Sequence, residues 1–204
     1  MTRHIVLTAL AATALVTACA SEAPYDPLQD YEELDNTSIV PAPRPVTQRV
    51  APADRDAVER GGYLVEVLGC GACHTDGALE GAPDMSRALA GSRTGIAYSN
   101  PLEHKNPGVV YPPNITPDEN TGIGLWSDTQ IAYAVRAGVG QHGSRRLVTM
   151  PWQGYAKLND DDVEAIVAYL RSIEPVEFDV PGEVRPGRKA THSFVYFGVY
   201  RSRQ

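Results

Sequence analysis

Gly69-Cys70-Gly71-Ala72-Cys73-His74 is the stretch on which the reading of this chain turns. Two cysteines three positions apart, with histidine directly after the second, form the attachment pattern for c-type haem. One turn of chain brings both sulfurs to one edge of a porphyrin, where each adds to a vinyl group as a thioether. The same turn carries His74 beneath the iron as the proximal imidazole ligand. Gly71 and Ala72 are small enough for the backbone to lie close to the macrocycle. A structural zinc site is the first competing reading, but it needs four ligands. The remaining cysteine, Cys19, sits in a segment of another kind. A thioredoxin-like dithiol is the second, and its βαβ setting is missing from the flanks.

Working outward toward the N-terminus, residues 1–18 read as a signal peptide. Arg3 and His4 precede an apolar run, Ile5 to Val16, that is short for a membrane span. The run ends in Leu15-Val16-Thr17-Ala18-Cys19, which resembles a bacterial lipoprotein signal and makes Cys19 the candidate lipidation site. An ordinary signal peptide with an incidental cysteine is the alternative, and both readings send the chain out of the cytoplasm. Residues 19–53 read as an acidic, proline-rich tether, punctuated by Pro24, Pro27, Pro41, Pro43, Pro45 and Pro52.

Residues 54–175 then form one domain by size. Asp56 to Leu68 places Ala57, Val58, Leu64, Val65 and Leu68 on an apolar side, predicting a helix that runs into the Cys-His motif. Gly61-Gly62 weakens that helix, and the pair also permits a second helix to cross at close range. Gly77 to Gly124 shows no lasting period and reads as long loops around a cofactor. Ser127-Asp128-Thr129-Gln130 is a capping box for a helix ending near Gly138. Asn159 and three aspartates open another, with Val163, Ile166, Val167 and Leu170 as its apolar stripe and Pro175 as its stop. Residues 176–204 are a C-terminal extension containing a strand-like aromatic run, Ser193 to Tyr200.

A second axial ligand is the remaining question. Beyond the signal only Met85 and Met150 are available. Met150-Pro151 lies in a loop between two expected helices, 76 residues after His74, far enough to reach the opposite haem face. Met85 follows the motif too closely. His142 is the main rival, and His104 and His192 read as surface residues.

Residues from about 59 to 175 resemble a class I cytochrome c domain, of the group found in cytochrome subunits of bacterial membrane-bound alcohol and gluconate-type dehydrogenases. The resemblance rests on Arg60-Gly61, Tyr63-Leu64, the Cys70 to Thr75 motif, Asn114-Ile115-Thr116-Pro117-Asp118, Gly122-Ile123-Gly124 with Trp126-Ser127-Asp128, Arg136, Met150-Pro151, Tyr155, Leu158 and Tyr169-Leu170-Arg171. It implies an all-α class I cytochrome c fold, with helices packed around one covalent haem c, long irregular loops, crossing first and last helices, and Met150 as sixth ligand. Those subunits commonly carry three haem domains, whereas this sequence has one motif. Residues 92–110 read as an insertion.

A His/Met haem leaves no open site for substrate, and methionine raises its potential. Electron transfer is therefore expected in place of catalysis. The expected donor is a periplasmic or membrane dehydrogenase or quinol oxidase, and the expected acceptor is of oxidase type. The expected location is the periplasmic side of a bacterial membrane, through a lipid anchor. The alternatives are a fixed cytochrome subunit of a respiratory or dehydrogenase complex, or a haem gas-sensing or peroxidase-like protein. The net charge of −7 favours a partner with a basic docking surface, and no nucleic-acid partner is expected.

Overall fold

The expected helices form where the caps and apolar stripes place them. The computed structural model describes residues 26, 29–34, 40–100, 105–140, 149–196 and 200–202. Helix α1 spans Arg55–Val67 and buries Val58, Gly61, Leu64 and Val65. The short helix α2, Cys70–His74, follows after Gly69 turns the chain at φ 71°. Helix α3, Asp128–Ala137, starts on the complete capping box of Ser127 and Gln130 and stops at Gly138, whose φ is 61°. Helix α4, Trp152–Tyr155, follows Pro151. Helix α5, Asp160–Ser172, is capped by Asn159 and buries the whole expected stripe of Val163, Ile166, Val167 and Leu170.

The crossing of α1 on α5 organises the main core. A Cβ on Gly61 would lie 1.9 Å from the Ala165 carbonyl oxygen, and one on Gly62 would lie 3.1 Å from the Tyr169 ring. The glycine pair therefore acts as the contact surface expected of it from the sequence. Around the crossing, Leu64, Val65, Leu89, Ile123, Ile131, Ile166, Leu170 and Ile173 form one buried cluster. Each large aliphatic side chain in such a cluster stabilises by roughly 1.5–3 kcal/mol.

The all-α expectation is overturned by a five-stranded mixed sheet. Strands β1 (Tyr31–Glu33), β2 (Gly95–Ala97), β3 (Val109–Val110), β4 (Phe194–Tyr196) and β5 (Tyr200–Ser202) lie in the order β1-β5-β4-β2-β3. β2 runs parallel to β4 and antiparallel to β3, while β5 is antiparallel to both β4 and β1. The sheet is made from the segments outside the helical pattern: residues 19–53 (the arm), the insertion at 92–110 and the C-terminal extension 176–204 (the tail). It has its own core of Tyr31, Ala97, Val109, Tyr111 and Phe194. The physical reason for the missed sheet is length. Strands of two or three residues are too short to show alternation, and their pairing joins residues as far apart as Tyr31 and Ser202.

Residues before α1 and after α5 also make contacts with the helical core. Val40 is buried, and the Tyr169 hydroxyl donates to the Pro43 carbonyl at 2.6 Å. The Val46 amide donates to the Ser172 carbonyl at 2.8 Å. In the described part of 19–53, residues 40–46 are thus docked on the domain. Past residue 175, Phe178 is buried, with the Arg87 and Arg93 guanidinium groups over its ring at 4.7 and 4.3 Å. Arg201 in β5 donates to Glu32 Oε1 at 2.7 Å and to Glu80 Oε2 at 2.7 Å, tying arm, tail and the loop after α2 together. Such part-exposed pairs add little stability, and their value here is register.

Gly61→Ala drives a methyl group into the α5 backbone, with overpacking expected to cost about 3 kcal/mol. Gly182→Ala, which meets nothing within 4 Å, is expected to stay within about 0.5 kcal/mol of wild type. Chemical denaturation of the two variants side by side checks this. Equal midpoints would show that α5 can retreat from α1 without loss.

Candidate haem-binding cleft

Cys70, Cys73, His74 and Met150 line one cleft. It encloses about 1220 Å³ of empty space, part of it open to solvent. Its walls are apolar: Leu68 from the end of α1, Ile115, Ile123 and Trp126 from the long loop, Ile131 and Val135 from α3, and Ile166 and Leu170 from α5. The helices thus present to the cleft part of the stripe with which they pack on one another.

His74 is oriented by a hydrogen bond to the backbone. Its Nδ1 lies 2.7 Å from the Pro113 carbonyl oxygen. A carbonyl only accepts, so Nδ1 carries the proton and donates. In the neutral ring that leaves Nε2 as the lone-pair nitrogen, the form a metal ligand requires. Burial pushes the Cys70 thiol up to about 11, with neighbouring Cys73 adding to it, and burial raises Cys73 as well. With no metal bound, both sulfurs therefore favour the neutral thiol over the thiolate.

Met150 is half-buried in the cleft lining, and the segment that follows it is held by several contacts. The Trp152 amide donates to the Met150 carbonyl at 2.8 Å. The Trp152 ring lies against Gly138, where a Cβ would approach it to 2.7 Å. The Tyr155 hydroxyl donates to the Leu68 carbonyl at 3.0 Å, joining α4 to the end of α1 just before the cysteines. Met85 is 44% exposed in a 3-10 turn and is absent from the cleft lining. Cys19, the signal segment, His104 and His142 lie outside the described residues, while His192 is exposed.

The loop wall is held by Arg171. Its guanidinium donates to the carbonyls of Ile123 and Gly124 at 3.1 Å each, to that of Trp126, and to Asp128 Oδ1 at 3.0 Å. One side chain from α5 thereby satisfies carbonyls that no helix or strand pairs.

Some cleft residues went unread in the sequence. Ile96 of β2 and Val110 of β3 line the cleft, so the insertion forms part of its wall. Nothing in a two-residue strand announces that. The Pro113 carbonyl carries no side-chain signal at all. Gly71 was expected to admit the macrocycle, but the close neighbour of its missing Cβ is Val40 of the arm, 2.8 Å away.

Two thiols on one short helix, a neutral imidazole, a thioether and apolar walls are a donor set that suits a covalently attached haem. The cytochrome c family model matches residues 58–174, and the chain belongs to the cytochrome c family. Covalent haem c and electron transfer are the family's chemistry, and its members here are electron-transfer subunits and not catalysts. The chain is 34% identical over 139 residues to the fructose dehydrogenase cytochrome subunit of Gluconobacter japonicus, covering 68% of this chain and 26% of that one. It is 35% identical over 126 residues to the cytochrome c subunit of alcohol dehydrogenase (quinone) of Gluconobacter oxydans strain 621H, covering 61% and 23%. It is 37% identical over 120 residues to the gluconate 2-dehydrogenase cytochrome c subunit of Pantoea cypripedii, covering 58% and 24%. The match thus spans about a quarter of the length of these relatives.

Burial, with Cys70 and Cys73 adding to it, pushes the Tyr155 hydroxyl up to about 12. An unfolded tyrosine titrates near 10, so the folded state holds this proton more tightly. Its contribution to stability is full below about pH 10 and is lost as pH rises through about 12. Tyr155→Phe is expected to cost about 1 kcal/mol at pH 7 and to flatten the fall in stability across that alkaline window. Tyr98, also raised to about 12 by burial and Glu183, keeps part of the slope. Denaturant midpoints measured from pH 8 to 12 test it, and an unchanged slope would remove Tyr155 from the alkaline transition.

Proposed function

We propose that the chain is a single-haem c-type electron-transfer protein of the bacterial cell envelope, receiving electrons from a dehydrogenase or quinol oxidase and passing them to an oxidase-type acceptor. The observation that carries the reading is the meeting of Cys70, Cys73, His74 and Met150 in one apolar cleft, with His74 Nδ1–H held by Pro113. Cys70 and Cys73 would hold the haem as thioethers, and His74 Nε2 and the Met150 sulfur would be the protein's ligands to its iron. When bound, the haem supplies a one-electron couple, and the methionine raises its potential. The protein's part would be to hold the His74 and Met150 side chains in place and to surround the group with apolar walls. The names of the relatives, subunits of fructose, alcohol and gluconate dehydrogenases, support a dehydrogenase as donor.

The decisive experiment is mass spectrometry and spectroscopy of protein from a haem-attaching host. The chain is expected to keep one haem-sized increment after acid-acetone extraction. Met150→Ala is expected to lower the midpoint potential and admit carbon monoxide, while Met85→Ala does neither. A spectrum that follows His142→Ala in place of Met150→Ala would show that the sixth ligand is misassigned.

Cys19 as the lipid-bearing residue completes the proposal, with the haem domain facing the periplasm. Multiple acyl chains anchor stably where one is marginal. From Cys19 to Tyr31, where β1 begins, there are 12 residues, a reach of at most roughly 40 Å. The anchor would therefore keep the haem near its membrane and at high effective concentration for a membrane-bound donor. Cys19→Ser behind a cleavable signal is expected to give soluble holoprotein with an unchanged spectrum and slower reduction by membranes. Membrane retention of the serine variant would move the attachment to a protein partner.

A further inference from the structure

The motif Asn114-Ile115-Thr116-Pro117-Asp118 lies beside the cleft but contributes none of the four proposed haem contacts. Asn114 is only 3% exposed, and its amide uses every bonding direction it has. Its Oδ1 accepts from the Thr116 amide at 2.9 Å and from the Thr116 hydroxyl at 2.8 Å. Its Nδ2 donates to Thr121 Oγ1 at 2.9 Å and to the Val176 carbonyl at 2.7 Å. The acceptors are themselves locked. Thr121 Oγ1 donates to Asp118 at 2.8 Å and accepts from the Phe178 amide at 3.0 Å, and Thr116 Oγ1 accepts from the Val176 amide at 3.1 Å.

A buried network this complete is rigid, and partial loss of it is costly. Its position gives that rigidity a use. Pro112 and Pro113 have no amide hydrogen, so no backbone donor of their own can fix them. The direction of the Pro113 carbonyl is set by the peptide plane it shares with Asn114. Asn114 is pinned by its side chain, and Ile115 by its amide on the Leu89 carbonyl at 2.9 Å. On the other side, the Pro112 carbonyl accepts from the Ser92 amide at 3.0 Å, so the chain entering Pro113 is held as well.

We infer that Asn114, through Thr116, Thr121 and Val176, is a positioning residue for His74: it holds the Pro113 carbonyl on the imidazole Nδ1–H and thereby sets the reduction potential of the haem. The inference rests on His74 being the iron ligand. A firmly held acceptor at Nδ1 makes the imidazole a stronger electron donor through Nε2 and favours the oxidised form. Loosening the acceptor shifts the potential upward.

The test uses holoprotein, and it leaves Asn114 in place because that residue also lines the cleft. Thr121→Val keeps the shape and removes the hydroxyl that receives Asn114 Nδ2, while Thr121→Ser keeps the hydroxyl. The readouts are the midpoint potential and the solvent-exchange rate of the His74 Nδ1 proton, followed by NMR in histidine-labelled reduced protein. Thr121→Val is expected to speed that exchange about tenfold and to shift the one-electron equilibrium up to about tenfold toward reduction, about 59 mV. Thr121→Ser is expected to restore both. A Thr121→Val protein that melts earlier but keeps wild-type potential and exchange would overturn the inference, and so would an equal shift in Thr121→Ser. Should Thr121→Val yield no holoprotein, Thr116→Val with Thr116→Ser as control carries the same two readouts, with the same supporting and overturning results. A wild-type His74 ring without haem ring-current shifts would overturn the ligand assignment, and the inference with it.

Discussion

The close crossing of α1 on α5 is the constraint on which the rest of the molecule depends. It is possible only because Gly61 has no Cβ: the Ala165 carbonyl occupies the space one would need, 1.9 Å away. With α1 held there, the chain leaves it at Leu68 and turns through Gly69, so that both cysteines and His74 face the apolar side of α5 and α3. The crossing is thus more than a packing motif. It fixes where the Cys70–His74 helix begins, and a looser crossing would move the two cysteine sulfurs and His74 relative to Met150, which is held by different contacts.

The second half of the structure faces a different problem, because the long loop around the cleft has few helix or strand partners for its backbone. Side chains from elsewhere supply them. Arg171 caps the carbonyls of Ile123, Gly124 and Trp126, and Asn114 gathers Thr116, Thr121 and Val176. Leu89 shows the same logic at a strained position. Its φ of 63° is uncommon for a residue with a side chain, a conformation that costs on the order of 1–2 kcal/mol. It is held because its amide donates to Thr75 Oγ1 and its carbonyl accepts from Ile115, with the side chain buried. Irregular backbone around a flat cofactor is therefore as determinate here as a helix, though its rules are not periodic.

That difference explains what was legible in the sequence. Helices α1, α3 and α5 announce themselves through caps and apolar spacing, because those signals are local. Met150 was separable from Met85 by loop position, and the structure puts the first in the cleft lining and the second at the surface. Of the sheet only the strand-like run Ser193 to Tyr200, which holds β4, was legible; its pairing was not, since β1 and β5 belong to opposite ends of the chain and β3 has only two residues. The role of Gly71 was half-read. A small residue was needed, but the close approach is from Val40. Nor does any side chain advertise the Pro113 carbonyl, because a backbone acceptor becomes visible only when the fold brings it to His74.

The sheet changes what the arm and tail mean for the cleft. β2 carries Ile96 into the lining and is paired along its other edge to β4, which is paired through β5 to β1. A continuous ladder of backbone bonds therefore runs from the arm to the cleft wall, reinforced by Arg201 between Glu32 and Glu80. Apolar Ile96 and Val110 close a side that water would otherwise reach, and solvent exposure is one of the levers on a haem potential. An arm segment that pairs in the same sheet cannot shift register without moving β5 and β4, because a one-residue slip reverses the face of every side chain in the strand. The described strand Tyr31–Glu33 is thus joined through β5 and β4 to the strand that walls the cleft, and a displacement of β1 would be felt at Ile96.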